Sequence, residues 1–454
     1  MTTTDRIDPS EAWVKLEPPA PMNRDEAFAE ANRCLMCFDA PCIRACPTAI
    51  DVPRFIKQIA TDDIRGSART ILSANILGAS CARVCPTEVL CEGACVLHDL
   101  HERPIEIGRL QGYATDPFVL SGIQLFERGA ETGKRVAIVG GGPAGLSCAA
   151  ELSQLGHHAV ILDAGARPGG LNTLGIAEYK MQPDTAQAEI DWVLSLGAEL
   201  RSGVRVGTDI SMESLLEDFD AVFLATGLGP IAPLGIPGED LAGVQDALAF
   251  IADLKTRPRA EMSLAGERVA VVGGGNTAVD ATIQSARLGA DKVYLVYRRG
   301  REQMPAYEHE IQKALADGAE LVHWATPVAV TDDGGAVSAL TCRRTVLGPI
   351  GDDGRARVEE VPDSEFDLPV TRVLRATGQA KYRSFFEDIP DLQIDGGGRV
   401  VVDGSFHTTN PLIWAGGDCV NGGKEVVNAV AHGKAAARDM DAALQAHQAG
   451  NGGS

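Results

Sequence analysis

The sequence predicts an α/β protein: an N-terminal all-α, cysteine-rich domain followed by two Rossmann-like nucleotide-binding domains. Three observations carry this. Eight of the 11 cysteines lie between Cys34 and Cys95. From Lys134 onward, apolar strands alternate with helical segments, the pattern of a parallel sheet covered by helices. Glycine-rich turns follow β-branched strands at Gly140 and again at Gly273, so the second half repeats the first.

Composition removes several function classes. With 41 basic against 62 acidic residues the net charge is −21, which disfavours nucleic acid and anionic membrane surfaces as partners. The charge-free run from Val136 to Ala150 stops at Glu151, short of the roughly 18 apolar residues that a membrane span needs. The first residues carry no apolar signal-peptide core. The expectation is a soluble cytoplasmic protein.

Taken in order, residues 1–26 are Pro-rich and charged and read as an arm. Residues 27–116 read as helices, with apolar positions at helical spacing in 55–60 and 68–72 and cysteine-bearing loops between. The first cysteine group is Cys34-x2-Cys37-x4-Cys42-x3-Cys46-Pro47; the second is Cys81-x3-Cys85-Pro86, then Cys91-x3-Cys95. Clustered thiols without a secretory context point to metal or redox chemistry. Thiolates suit iron–sulfur clusters or zinc, and only Cys34/Cys37 has the C-x2-C spacing usual for structural zinc. Two Cys-Pro units favour two [4Fe–4S] clusters with exchanged ligands, although the four-residue gap before Cys42 argues against a ferredoxin fold.

Residues 117–133 read as a linker. Beyond it, 134–240 with 376–445 form one discontinuous domain, 241–375 the other, and 446–454 a flexible tail. In the first, Gly140, Gly142 and Gly145, with Ala144 between them, make a G-x-G-x-x-G fingerprint at a strand-to-helix junction. It provides a tight turn, close approach to a pyrophosphate, and a helix N-terminus aimed at the phosphates. Asp163 ends the next strand about 20 residues on, placed for ribose hydroxyls. The second turn, Gly273, Gly274, Gly275, Asn276 and Thr277, has Ala278 in place of the third glycine, and its next strand ends in Arg298-Arg299. Arginine there can hold a 2′-phosphate, which an acid would repel. The first site therefore reads as FAD and the second as NAD(P)H, leaning to NADPH; the alternative for the arginines is a solvated strand end. Asp418, in Gly416-Gly417-Asp418, suits a ribityl hydroxyl, and a helix opening at Val426 either faces the flavin or merely packs. Between Gly229 and Arg399 the only cysteine is Cys342, so the C-x-x-C dithiol of a disulfide reductase is missing there.

Asn32-Arg33-Cys34-Leu35-Met36-Cys37, Ile107-Gly108-Arg109-Leu110-Gln111, the run from Gly169 to Lys180, and Gly422 to Asn428 together resemble the glutamate synthase small-subunit family. They are closer to the FAD/iron–sulfur subunit of bacterial dihydropyrimidine dehydrogenase. The resemblance spans roughly Asn32 to Arg438. It implies glutathione-reductase-type nucleotide domains. It implies one cluster on Cys34, Cys37, Cys42 and Cys95 and another on Cys46, Cys85, Cys91 and the amide oxygen of Gln111, leaving Cys81 out. Gly170, Leu171, Lys180, Gly417 and Asp418 would touch FAD, and Gly274 to Thr277, Arg298 and Gly378 the nicotinamide nucleotide. The implied activity is electron input: NAD(P)H oxidation through FAD and the clusters to a partner FMN/iron–sulfur subunit that reduces uracil or thymine, the two forming a heterotetramer. Three positions differ from these relatives. Glutamate synthase small subunits more often have Gly-Ile-Pro at Gly175-Ile176-Ala177 and Glu at Gln111, and animal pyrimidine enzymes have Arg at Lys180.

Overall fold

The computed structural model describes residues 15–351 and 356–451. Residues 1–14 of the expected arm and 452–454 of the expected tail lie outside them. Helices α1 (Arg24–Ala31), α2 (Pro41–Ala45), α3 (Val52–Ala60), α4 (Ile64–Ala74), α5 (Gly78–Val84) and α6 (Ile107–Val119) come first. Next are β1 (Arg135–Val139), α7 (Pro143–Gln154), β2 (His158–Asp163), α8 (Leu171–Leu174), α9 (Pro183–Leu194), β3 (Glu199–Ser202), α10 (Met212–Asp218) and β4 (Ala221–Leu224). The repeat follows as β5 (Val244–Asp246), α11 (Ala247–Thr256), β6 (Arg268–Val272), α12 (Asn276–Arg287), β7 (Lys292–Tyr297), α13 (Glu308–Ala316) and β8 (Glu320–His323). Strands β9 (Ala325–Asp333), β10 (Ala336–Ile350), β11 (Ala356–Pro369) and β12 (Arg372–Arg375) lead to α14 (Arg383–Glu387), β13 (Ile413–Ala415), α15 (Asp418–Asn421) and α16 (Val426–Asn451). No helix among the described residues is long and apolar enough to cross a membrane.

The chain divides into two compact units. The larger comprises Ala20–Thr173, Pro183–Leu228 and the chain from Lys381 onward. Its parallel sheet runs β13-β4-β1-β2-β3. Helix α16 crosses α7 closely because residue 433 is glycine: a Cβ there would lie 2.1 Å from the Ala144 carbonyl oxygen. The cysteine-bearing helices are not a separate body. Leu72, Leu77, Ala79 and Val119 share a buried core with Val136, Ile138, Leu146, Phe223 and Trp414 of the sheet domain. Residues read as a linker are held down too: Leu125 joins that core, and Trp192 Nε1 donates to the Ile123 carbonyl at 3.0 Å.

The smaller unit holds the chain up to Pro19, Leu174–Gln182 and Gly229–Ala380. Its parallel sheet runs β5-β12-β6-β7-β8. A second, antiparallel sheet, β11-β10-β9, departs from the wholly parallel expectation. Gly334 and Gly335, at φ +64° and +89°, supply the two positive-φ residues of a tight hairpin between β9 and β10, so these strands need no helical crossover. Element ends also differ from the sequence reading. Asn23 and Glu26 form a reciprocal cap that starts α1 inside the expected arm, α6 runs on to Val119, and alanine-rich α16 continues to Asn451.

Candidate functional site

The first glycine turn needs its glycines for two different reasons. Gly140 has φ +110°, and a Cβ there would sit 2.3 Å from the Ala225 carbonyl oxygen; a Cβ on Gly145 would sit 2.0 Å from that of Gly140. Gly142, at the start of α7, meets nothing within 4 Å. Its missing side chain thus leaves room before the helix N-terminus, where backbone N–H groups and the helix dipole favour a pyrophosphate. Gly169 N donates to Gly141 O at 2.8 Å, and Gly170 faces Gly142. Gly417, at φ +76°, lies against Ala144. Asp163 accepts from Gly141 N at 2.6 Å and from Gly165 N at 2.7 Å, one on each carboxylate oxygen, which still leaves lone pairs for hydroxyl donors. Asp418 accepts from Lys424 N at 3.2 Å, burial raises its carboxyl above the usual range, and Val426 opens α16. Leu171 is partly exposed.

The second turn repeats the construction. Gly273, at φ +153°, would place a Cβ 2.3 Å from the Ala376 carbonyl oxygen, and Gly274 would place one 2.4 Å from the Tyr297 ring. Gly275, which starts α12, again meets nothing within 4 Å. Asn276 Oδ1 accepts from Tyr307 N at 3.1 Å and Gly274 O accepts from Ala306 N at 3.1 Å, bringing residues 306–307 against the turn. Thr277 follows on α12, and Gly378 has φ +107°. The two strand-end arginines separate. Arg298 is exposed, with no partner for its guanidinium among the described residues, whereas Arg299 Nη2 donates to the Ala356 carbonyl at 3.1 Å.

Lys180, which the resemblance implies at FAD, has partners of its own in this structure. It belongs to the smaller unit, where its ammonium pairs with Asp280 of α12 at 2.8 Å and with Glu310 of α13, while Tyr179 O–H donates to Asp280 at 2.5 Å. Burial opposes its charge, but the two carboxylates outweigh that and hold its pKa above the ordinary lysine value. A buried ammonium needs such partners, and the structure supplies them from the second nucleotide domain.

The thiols gather in two groups. Burial pushes Cys42 up to about 11, with Cys34 and Cys95 adding to it, and Cys34 feels Cys37 and Cys95. Cys85 is raised by a hydrogen bond with Cys81, by burial, and by Cys91 and Cys46. Cys91 is raised by burial, with Glu92 and Cys46 adding to it. Gln111, buried on α6, donates its Nε2–H to Gly78 O at 2.7 Å, one turn before Cys81 on α5. Among the described residues no three His, Cys, Asp or Glu side chains converge as ligands of one metal ion. Tetrahedral zinc at about 2.3 Å would require sulfurs about 3.8 Å apart. A cubane, whose irons are bound at separate corners, takes ligands spread more widely, and a soft all-thiol or thiol-plus-amide donor set suits it.

Sequence reading missed a buried network that joins these features. Glu189 of α9 accepts from Ala79 N at 2.8 Å, from Ser80 N at 3.2 Å and from the Ser80 hydroxyl, and Asn172 Nδ2 donates to Ser80 Oγ at 2.8 Å. Its members come from three separate segments, so no spacing marks it. His432, whose Nδ1 accepts from Gly417 N at 3.2 Å, was missed for the same reason.

Residues 15–123 match the family model described as dihydropyrimidine dehydrogenase domain II, 4Fe-4S cluster, and residues 134–433 that described as pyridine nucleotide-disulphide oxidoreductase. The chain is 35% identical over 452 residues to the glutamate synthase [NADPH] small chain of Escherichia coli (strain K12), covering 95% of this chain and 96% of that one. It is 32% identical over 412 residues to the NAD-dependent dihydropyrimidine dehydrogenase subunit PreT of the same organism, covering 90% and 92%. Mycobacterium tuberculosis FprA in complex with NADPH shares the fold, with a TM-score of 0.57 and 20% identity over 70% of this chain and 86% of that one.

Proposed function

The chain belongs to the pyridine nucleotide-disulphide oxidoreductase family and carries a 4Fe–4S domain before it, and on that footing we propose that it is the electron-input subunit of a dihydropyrimidine dehydrogenase. It is an NAD(P)H-dependent oxidoreductase using FAD and 4Fe–4S clusters. Bound FAD would supply hydride acceptance from NAD(P)H, and the clusters would supply one-electron transfer onward. One observation supports this reading above the others: the cysteine helices and the first glycine turn share a single buried core, so the residues that would hold clusters and flavin belong to one packed body.

The chain's own work is binding and orientation. The N-terminus of α7, cleared by Gly142, would receive the flavin pyrophosphate, and Asp163 the ribose hydroxyls. The N-terminus of α12, cleared by Gly275, would receive the second dinucleotide, with Arg298 on a 2′-phosphate. Cys34, Cys37, Cys42 and Cys95 would hold one cluster; Cys46, Cys85, Cys91 and Gln111 would hold the other. The contact between Cys81 and Cys85 favours the rival set, in which Cys81 replaces Gln111. Under the first assignment Cys81→Ser keeps about eight irons per chain while Gln111→Ala loses or degrades one cluster; the opposite pattern establishes the second.

The partner would be an FMN/iron–sulfur chain that reduces the 5,6 double bond of uracil or thymine, in a heterotetramer. A second reading, electron input to a glutamate synthase, is favoured by the higher identity to that small chain. Mixing the purified protein with each kind of partner decides between them. NAD(P)H-dependent loss of uracil absorbance supports the first, and glutamate formation from 2-oxoglutarate and glutamine the second.

A further inference from the structure

We propose that Thr345 of β10 is a positioning residue for nucleotide choice: its hydroxyl holds the Arg298 carbonyl, so the antiparallel sheet sets where the Arg298 guanidinium meets a 2′-phosphate. The inference rests on reading Arg298 as the 2′-phosphate contact, and all of its residues lie in the smaller unit.

The need arises where the parallel ladder stops. The last pair of β7 with β8 is Tyr297 with His323, so the carbonyls of Arg298 and Arg299 fall beyond it. The antiparallel sheet and its lead-in take both. Trp324, the single residue between β8 and β9, donates its N–H to Arg299 O at 3.1 Å and accepts from Thr345 N at 3.0 Å. The hydroxyl of buried Thr345 donates to Arg298 O at 2.9 Å, and a carbonyl only accepts, so the direction of that bond is fixed. Two local irregularities bring these groups within reach. Thr345 follows Arg344, the last β10 residue paired with β9, and stands just after a register shift against β11, the kind of bulge that re-aims a side chain. Trp324 has φ +54°, a conformation that a bulky residue keeps only where its surroundings impose it.

Position matters because the ligand's own span is short. In a dinucleotide one ribose joins the pyrophosphate to the 2′-phosphate, so the cation must stand close to the turn that receives the pyrophosphate. Arg298 is held on both sides: Gly273 N ties Val296 O to that turn at 3.0 Å, and Thr345 ties the Arg298 carbonyl to the sheet. A guanidinium binds phosphate through a planar fork, so a turn in its Cα–Cβ direction costs both bonds together. The sheet also sorts the two arginines. Arg299 Nη2 is engaged by the Ala356 carbonyl at the start of β11, which leaves Arg298 as the exposed one. No sequence spacing marks Thr345, which lies 47 residues from Arg298.

The experiment titrates 2′,5′-ADP and 5′-AMP by calorimetry into the full-length protein with its flavin and clusters. The two probes differ only in the 2′-phosphate and read binding without turnover. Thr345→Val, which keeps the shape and removes the donor, lowers the affinity ratio of 2′,5′-ADP to 5′-AMP about threefold to tenfold, part of what a charged hydrogen bond contributes. Binding of 5′-AMP is unchanged. Thr345→Ser restores the donor and with it the ratio. Thr345→Ala gives the same loss and stands in if the valine variant does not fold. In an Arg298→Ala background, Thr345→Val changes the ratio no further, because the group it positions is gone. A merely structural threonine would weaken both probes alike, or lower the thermal midpoint at an unchanged ratio. Either result overturns the inference, as does an equal loss of the ratio in Thr345→Ser. If Arg298→Ala itself leaves the ratio unchanged, the reading of Arg298 fails instead, which separates the two failures.

Discussion

The two glycine turns have the same backbone and opposite electrostatics. Each has a first glycine with positive φ jammed against the end of a neighbouring strand, at Ala225 and at Ala376, and each clears a helix N-terminus at the next-but-one glycine. Beyond that they part. At the first, the strand-end charge is Asp163, already engaged by the backbone N–H of Gly141 in the glycine turn and that of Gly165 in its own loop. At the second, Arg298 stands exposed, with no partner for its guanidinium among the described residues. The first site is thus preorganised around its acid, as a resident cofactor needs. On the proposed reading, the second keeps Arg298 free for a ligand that comes and goes.

Glycine substitutions break this comparison most severely. Gly140→Ala puts a methyl group 2.3 Å from a backbone oxygen at positive φ, and at least about 3 kcal/mol of destabilisation is expected. Thermal unfolding checks it. Gly142→Ala and Gly275→Ala are the sharper pair, because in the free chain the added methyl meets nothing. Both fold normally. Gly142→Ala loses FAD affinity by about 1–3 kcal/mol, whereas Gly275→Ala keeps its flavin and loses NAD(P)H affinity by a similar amount. Flavin content and nucleotide titration on the same samples separate them.

The strand-end arginines come next in size. Arg298→Ala weakens NADPH by about 1–3 kcal/mol and NADH far less, as loss of a charged hydrogen bond to a 2′-phosphate requires. Arg299→Ala breaks a bond to the Ala356 carbonyl instead, so it changes both nucleotides alike. Equal losses for both nucleotides in Arg298→Ala assign that residue to a solvated strand end.

Much of this pairing was legible in the sequence, because strand, turn, helix and terminal charge are contiguous, and local sterics determine them. The two cysteine runs were legible for the same reason, but the grouping across them, Cys95 near Cys42 and Cys46 near Cys85 and Cys91, was implied only by the family resemblance. Three things were not. The hairpin of β9 and β10 depends on Gly334-Gly335 between strands whose alternation is imperfect, and it lay inside a run of parallel units. The carboxylates of Asp280 and Glu310 sit more than 90 residues from the Lys180 they neutralise, so only the folded chain reveals that its charge is already matched. The merger of cysteine helices and sheet domain rests on Leu72, Leu77 and Val119, apolar positions that look like the core of any small helical domain.

The smallest effect is a pH response confined to the larger unit. His432 Nδ1 accepts from Gly417 N, so the bond needs a neutral ring with an unprotonated Nδ1. Burial, with nearby Lys424 adding, lowers the His432 pKa from 6.5 to about 4. Its folded pKa is therefore depressed: the stability it lends is complete above pH 6.5 and is lost as pH falls toward 4. Partial exposure of the ring reduces the expected loss to about 1–2 kcal/mol. Glu189 works in the opposite sense. Burial raises its carboxyl from 4.5 to about 7, against the bonds from Ser80 and Ala79, so acid relieves an unfavourable charge and adds stability as pH falls from 7 to 4.5. The two responses oppose each other, so only a difference measurement isolates the histidine. In His432→Gln the amide oxygen replaces the acceptor and does not titrate. The urea midpoint for flavin release should fall less between pH 7 and pH 5 in this variant than in wild type. Identical slopes would mean that the Gly417 turn, like the second glycine turn, is held without a titrating side chain.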